Sequence, residues 1–113
     1  MDLDTLSDVD KVILGQALRA AVDGPFFPDW EFHTLFGLER CKVRAIADAW
    51  PVPDASPDDV ELAVNNSLNN LLGYPHQQDA VWSQWISVDR SQLNKLFNRV
   101  RGVRDEGYFG RMK

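Results

Sequence analysis

The stretch that decides the fold is PDDVELAVNNSLNNLLG, residues 57–73. Its apolar side chains recur every three or four residues, which is the period of an α-helix with one buried face. They are Val60, Val64, Leu68, Leu71 and Leu72. Ser56 suits the N-cap position, Pro57 suits the first helical position, and Gly73 suits the end. The sequence therefore predicts an amphipathic helix that lies against a core.

Four asparagines lie on this predicted helix, opposite its apolar arc. They are Asn65, Asn66, Asn69 and Asn70. Each asparagine costs up to roughly 0.7 kcal/mol of helix propensity relative to alanine, so the sequence sacrifices helix stability here. The amides could be a solvated face, or caps for neighbouring loops, or a recognition face, because each carboxamide offers two donors and an acceptor. We expect them to point outward.

Helical signals repeat before and after this stretch. Capping residues, apolar spacing and Gly or Pro at the ends predict helices over residues 7–24, 28–37, 39–50 and 89–102. Residues 79–86 are ambiguous: we favour a short helix, while an irregular segment or a very short strand stays open. Five aromatics between Phe26 and Phe36 are expected to anchor the core.

These signals predict an all-α fold, an irregular bundle of five or six short helices. A chain of 113 residues, 44% of them apolar, is the size of one domain with its own core. The expected domain covers residues 1–102, and residues 103–113 are expected to form a C-terminal tail.

Catalytic and cofactor signals are weak. A single cysteine, Cys41, excludes an intrachain disulfide, and two histidines are too few for a Cys/His zinc cluster. No phosphate-binding glycine loop, HExxH, GxSxG or EF-hand pattern is present. We expect no cofactor, no metal and no enzymatic activity; an enzyme using Cys41 with His33 or His76 is the minor alternative.

The N-terminus and the apolar runs bear on localisation. The first residues, MDLDTLSDVDKV, are acidic and lack the basic and apolar regions of a signal peptide. No apolar run approaches the roughly 18 residues that would span a bilayer. We therefore expect a cytoplasmic protein that does not enter the membrane.

Charge is distributed unevenly along the chain. The net charge is -5, yet residues 89–113 hold seven Lys/Arg against three Asp/Glu, whereas residues 1–88 hold five against fourteen. No lysine or arginine occurs between residues 45 and 89. Such a balance opposes binding to nucleic acid or anionic lipid and favours a basic protein partner.

The predicted partner-binding surface combines this negative charge with the asparagines and nearby aromatics. It comprises Asp58, Asp59, Glu61, Asn65, Asn66, Asn69, Asn70, Tyr74 and Trp82. Tyrosine and tryptophan are enriched among the residues that dominate binding energy at interfaces. Whether Trp82 and Trp85 belong to the core or to the interface stays open at this point.

In size, acidity and helicity the chain is similar to bacterial immunity proteins, which neutralise a cognate toxin, often a cationic nuclease, by covering its surface. The Tyr74-Pro75 helix exit resembles the tyrosine-bearing helix end of the colicin DNase immunity proteins, although their paired tyrosines are missing and this chain is longer. The resemblance implies an inhibitor without chemistry of its own. The alternative is a helix-turn-helix DNA-binding regulator that uses Arg40, Lys42 and Arg44.

Overall fold

A computed structural model describes residues 6–101 of the chain. These residues form six α-helices and one 3-10 turn, and they contain no strand. The helices are α1 (Asp8–Asp23), α2 (Asp29–Phe36), α3 (Arg40–Ala49), α4 (Pro57–Gly73), α5 (Trp82–Trp85) and α6 (Arg90–Arg101), and the 3-10 turn is Asp79–Val81. The prediction of an irregular all-α bundle is confirmed. The expected tail over residues 103–113 lies outside the described residues.

Local capping explains where the helices begin. Ser7 Oγ accepts a hydrogen bond of 3.1 Å from the Asp10 amide, and Ser56 Oγ accepts one of 3.1 Å from the Asp59 amide. Before α6, Asp89 Oδ1 accepts from the Gln92 amide at 2.8 Å. Each of these bonds satisfies an N–H that has no partner inside its helix, so the three starts are encoded in nearby sequence.

The core is organised around α4, which packs against α1, α2 and α6. Its buried face includes the predicted valines and leucines, except that Leu72 is only partly buried. Residues of the same face that the apolar pattern does not mark are also buried, namely Ala63, Ser67 and Asn70. None of the helices within residues 6–101 is long and apolar enough to cross a membrane.

The ambiguous segment forms the 3-10 turn followed by the single helical turn α5. Trp82 is buried there, and its indole Nε1–H donates to the Val88 carbonyl at 2.8 Å. Its ring lies 6.2 Å from that of Phe26 and 6.3 Å from that of His76. Trp82 is therefore a core residue, and its inclusion in the predicted outer surface is corrected. Trp85 is partly buried against the same core.

Most of the aromatic segment fulfils its predicted role. Phe26, Phe27, Phe32 and Phe36 are buried, and the last two stack with their ring centroids 4.2 Å apart. Trp30 is different, because it is 80% exposed on the outer side of α2. The expectation that all five aromatics anchor the core is therefore wrong for Trp30.

Candidate protein-binding surface

The asparagines of α4 divide into two inward and two outward residues. Asn70 is buried, and its amide donates to the Leu35 carbonyl at 3.0 Å. The Asn66 amide donates to the Phe36 carbonyl at 2.8 Å. These carbonyls belong to the last turn of α2, where helix geometry leaves them without intrahelical partners. The prediction that all four amides point outward is therefore wrong for Asn66 and Asn70, which cap a neighbouring helix.

The other two asparagines remain accessible. Asn69 is exposed, and Asn65 is partly exposed, with its amide 3.4 Å from Asn66 Oδ1. Leu62 lies on the same side of α4 and is 41% exposed. This side of α4, formed by Asp58, Glu61, Leu62, Asn65 and Asn69, is hereafter called the outer face. It mixes carboxylates, amides and one apolar side chain.

The acidic residues around the start of α4 differ in how they are paired. Asp59 forms an ion pair with Lys42, in which Nζ of the lysine lies 3.1 Å from Oδ2 of the aspartate. Asp54 and Asp58 are exposed, and neither forms an ion pair within residues 6–101. Glu61 is also exposed. Around the start of α4, Asp54 and Asp58 therefore carry negative charge without a counter-charge among the described residues.

A groove lies next to these carboxylates, between α3 and the start of α4. Its volume is about 320 Å³. It is lined by Lys42, Ala45, Ile46, Asp54, Ala55, Ser56 and Asp59. The groove gives the acidic end of α4 a concave edge with an apolar floor. A second cavity of about 320 Å³ lies on the outer face and is lined by Glu61, Leu62, Asn65 and Arg101.

Tyr74 is held by its own domain. Its phenol donates a hydrogen bond to the Glu31 carboxylate, and its ring packs 5.6 Å from the ring of Phe27. The hydrogen bond to this carboxylate, with a smaller effect of desolvation, raises the pKa of the phenol above its ordinary value. Tyr74 is only partly exposed, and the structure thus gives its hydroxyl a partner within the chain.

The three basic residues of the helix-turn-helix alternative are also engaged internally. Arg40 donates to the carbonyls of Val22 and Phe27, at 2.9 Å in each case, and its Nε lies 2.9 Å from Asp29 Oδ1 without hydrogen-bond alignment. Arg44 donates to Val22 at 3.1 Å and to an Asp23 carboxylate oxygen at 2.9 Å. Both arginines therefore stabilise the C-terminal end of α1, where free carbonyls favour positive charge.

The residues of the enzyme alternative are spread over different environments. Cys41 is exposed on α3, whereas His76 is buried between Phe26 and Trp82. His76 Nδ1 accepts a hydrogen bond of 3.0 Å from the Gln78 amide, which assigns the ring proton to Nε2 and the bond of 3.2 Å to the Leu71 carbonyl. Within residues 6–101 no group of three or more His, Cys, Asp or Glu is placed to hold a metal ion.

Trp30 is the residue that the sequence reasoning missed as a surface candidate. The helical period could have found it, because Trp30 lies about 160 degrees around α2 from Phe32. Phe32 is 2% exposed and Trp30 is 80% exposed, as that opposition predicts. The number of aromatics in the segment favours burial for all of them and does not distinguish Trp30 from the phenylalanines.

Comparison of the chain with known protein families, with curated proteins and with solved structures gives no match. The fold and the surface described above therefore carry the functional inference. The observations that bear most on function are the pairing of charges and the exposure of individual side chains.

Proposed function

We propose that the chain is a small protein-binding module that docks on a basic protein partner. In its specific form the proposal is an inhibitor of the immunity or antitoxin type, which neutralises a basic toxin by covering its surface. A cationic nuclease would be a suitable toxin. Docking would use the outer face of α4, together with Asp54 in the connector before it.

The observation that carries the proposal is a pair of exposed carboxylates beside the start of α4 that form no ion pair within the described residues. Most lysines and arginines of the described residues already pair with carboxylates of the domain. The paired cations are Arg19, Arg40, Lys42, Arg44, Arg90 and Arg99. Asp54 and Asp58 have no such pair within residues 6–101 and are exposed. Lys95 and Arg101 are also exposed without an ion pair in these residues. Asp54 and Asp58, however, lie within residues 45–89, which contain no lysine or arginine, so negative charge is available to a partner at the start of α4.

The outer face supports the same conclusion by its chemistry. Asp54 and Asp58 would attract a basic surface from a distance and speed its association. Asn65 and Asn69 could exchange hydrogen bonds with partner side chains or backbone, and Leu62 adds apolar area. Inhibition of a toxin by such a surface is steric and electrostatic, and it requires no reaction by this chain.

A capture experiment with a matched charge reversal tests the proposal. The full chain, as bait, is compared with Asp58→Lys and with Asp8→Lys. Asp8 is the matched control because it is also exposed, unpaired within residues 6–101 and in the first turn of a helix, so both reversals oppose a helix dipole equally. The captured protein is then expressed alone and together with the chain.

We expect capture of a basic protein that inhibits growth alone and is silenced by coexpression. Asp58→Lys should weaken capture by about tenfold or more, because it replaces attraction by repulsion at the interface. Asp8→Lys should leave capture close to that of the unmodified chain. A neutral or acidic partner, or equal effects of the two reversals, would exclude the outer face as the docking surface.

A further inference from the structure

Trp30 is exposed on α2 and takes no part in the packing of that helix against the core. The neighbouring rings of Phe32 and Phe36 are buried and supply the apolar packing of α2, whereas the indole of Trp30 is 80% exposed. Isolated small apolar residues on a surface need no explanation, but a nearly uncovered indole is a large apolar area. Tryptophan is also one of the residue types enriched at interface hot spots.

The surroundings of Trp30 are acidic. Asp29 and Glu31 precede and follow it, so their side chains leave the helix on either flank of the indole. One turn further on, His33 Nε2 lies 3.9 Å from a carboxylate oxygen of Glu39. Arg40 is the cation near Asp29, but it is largely buried and directed at carbonyls of α1 and of Phe27. Glu31 accepts the hydrogen bond from the Tyr74 phenol, so the exposed carboxylate beside the indole is that of Asp29, whose side chain is 92% exposed.

The same domain shows which group suits such a ring. Arg40, Arg90 and Arg101 each place the guanidinium carbon over an aromatic ring, at 4.3, 4.9 and 4.4 Å from its centroid. The rings are those of Phe32, Trp82 and Phe97. Within residues 6–101 the ring of Trp30 has no arginine or lysine in this position. A guanidinium attracted by the flanking carboxylates would complete the arrangement.

We propose that Trp30 anchors an arginine of the basic partner, which stacks on the indole and pairs with Asp29. This inference rests on the proposed function, because it gives the partner its basic surface. It also extends the docking surface from α4 to α2. The two helices adjoin, since Asn66 and Asn70 of α4 bind the last carbonyls of α2.

The test uses a hexa-arginine peptide as the probe and the full chain labelled with ¹⁵N. Nuclear magnetic resonance reports the indole N–H of Trp30, assigned with Trp30→Phe, and the backbone amides of Asp58 and Leu62. The variant Trp30→Ala is compared with Val52→Ala, a matched control whose side chain is also 80% exposed. Both substitutions remove exposed side chains and should leave the fold intact.

We expect saturable shifts at the Trp30 indole and at the outer-face amides. Trp30→Ala should bind the peptide about two- to fivefold more weakly, the effect of losing an exposed cation–π contact, while Val52→Ala binds as the unmodified chain does. Hexa-lysine should shift the indole less than hexa-arginine does, because a planar guanidinium stacks better.

The two proposals fail differently in this experiment. The peptide could shift the amides of Asp58 and Leu62 but not the Trp30 indole N–H, and bind Trp30→Ala with unchanged affinity. That result would overturn the Trp30 anchor and leave the outer face in place. Shifts confined to the indole would support the anchor and contradict the outer face. A peptide that perturbs neither set would contradict both proposals.

Discussion

The side-chain amide of Asn70, in the second half of α4, donates a hydrogen bond of 3.0 Å to the carbonyl of Leu35 in the last turn of α2. The two residues are 35 positions apart in sequence. A second bond from the same amide reaches the Asn66 carbonyl at 2.9 Å, so this buried group is satisfied inside the domain. Asn70 thus ties two helices together through polar contacts.

Replacing Asn70 with alanine should lower the free energy of unfolding by about 1–3 kcal/mol, because the Leu35 carbonyl loses its donor. Asn69→Ala is the control on the same helix. Asn69 is exposed, so its replacement should change stability within about 0.5 kcal/mol or raise it slightly through better helix propensity. Urea denaturation of both variants measures the difference. Equal effects would mean that Asn70 contributes no more than a surface asparagine.

The contrast between Asn69 and Asn70 shows where sequence reasoning succeeds and fails. The cap at Ser56 is predictable from sequence because its partner lies three residues away, and the cap at Ser7 has the same spacing. The role of Asn70 depends on where another helix ends, and the period of α4 contains no information about that position. The acidity of the outer face could be predicted because it follows from composition.

The burial of the aromatic residues could also be predicted only in part. The number of aromatics around α2 predicted core packing, and it was right for the phenylalanines. For Trp30, its position around α2 relative to the buried phenylalanines decides its exposure, and the number of aromatics does not. For Trp82, burial follows from the packing of a single-turn helix against Phe26 and His76, which no local pattern encodes.

Ser67 offers a second test of the core. Its side chain is buried on α4, and Oγ has no hydrogen-bond partner within the described residues. A buried hydroxyl without a partner is unfavourable, and alanine is the better helix former. Ser67→Ala should therefore raise the free energy of unfolding by about 1 kcal/mol, measured by urea denaturation. A loss of stability would show that the hydroxyl has a partner, such as a buried water.

Gly15 is expected to be required by the packing of Trp50 on α1. A Cβ atom at residue 15 would lie 2.9 Å from Cδ1 of the indole, whose Nε1–H donates to the Lys11 carbonyl at 2.8 Å. Gly15→Ala forces the indole to move and should destabilise the domain by about 1–3 kcal/mol, despite the higher helix propensity of alanine.

Gly73, at the end of α4, is the control for this substitution. A Cβ atom there would meet nothing within 4 Å, so Gly73→Ala should be neutral or stabilising. Thermal denaturation of the two variants provides the comparison. If Gly15→Ala unfolds at the same temperature as Gly73→Ala, the contact with Trp50 does not restrict residue 15.

Asp23 is expected to make stability depend on pH in the acid range. Its two carboxylate oxygens each lie 2.9 Å from a guanidinium nitrogen, one of Arg44 and one of Arg19. These hydrogen bonds hold the pKa of Asp23 below its ordinary value. A lowered pKa in the folded state stabilises the fold above the unfolded value of about 3.9, and this contribution is lost as pH falls through the folded value.

Asp23→Asn should therefore cost about 0.5–1 kcal/mol at pH 7, a small value because the side chain is 37% exposed and screened by solvent. The difference from the unmodified chain should shrink as pH falls below about 4, because the unfolded chain then binds a proton on this carboxylate that the native state does not bind. Urea denaturation at pH 7 and pH 3 measures it. Asp54→Asn, at an exposed carboxylate without an ion pair in residues 6–101, should change little at pH 7. If the loss of stability caused by Asp23→Asn grows as the pH falls, the result contradicts an Asp23 carboxylate that is stabilised by the two arginines.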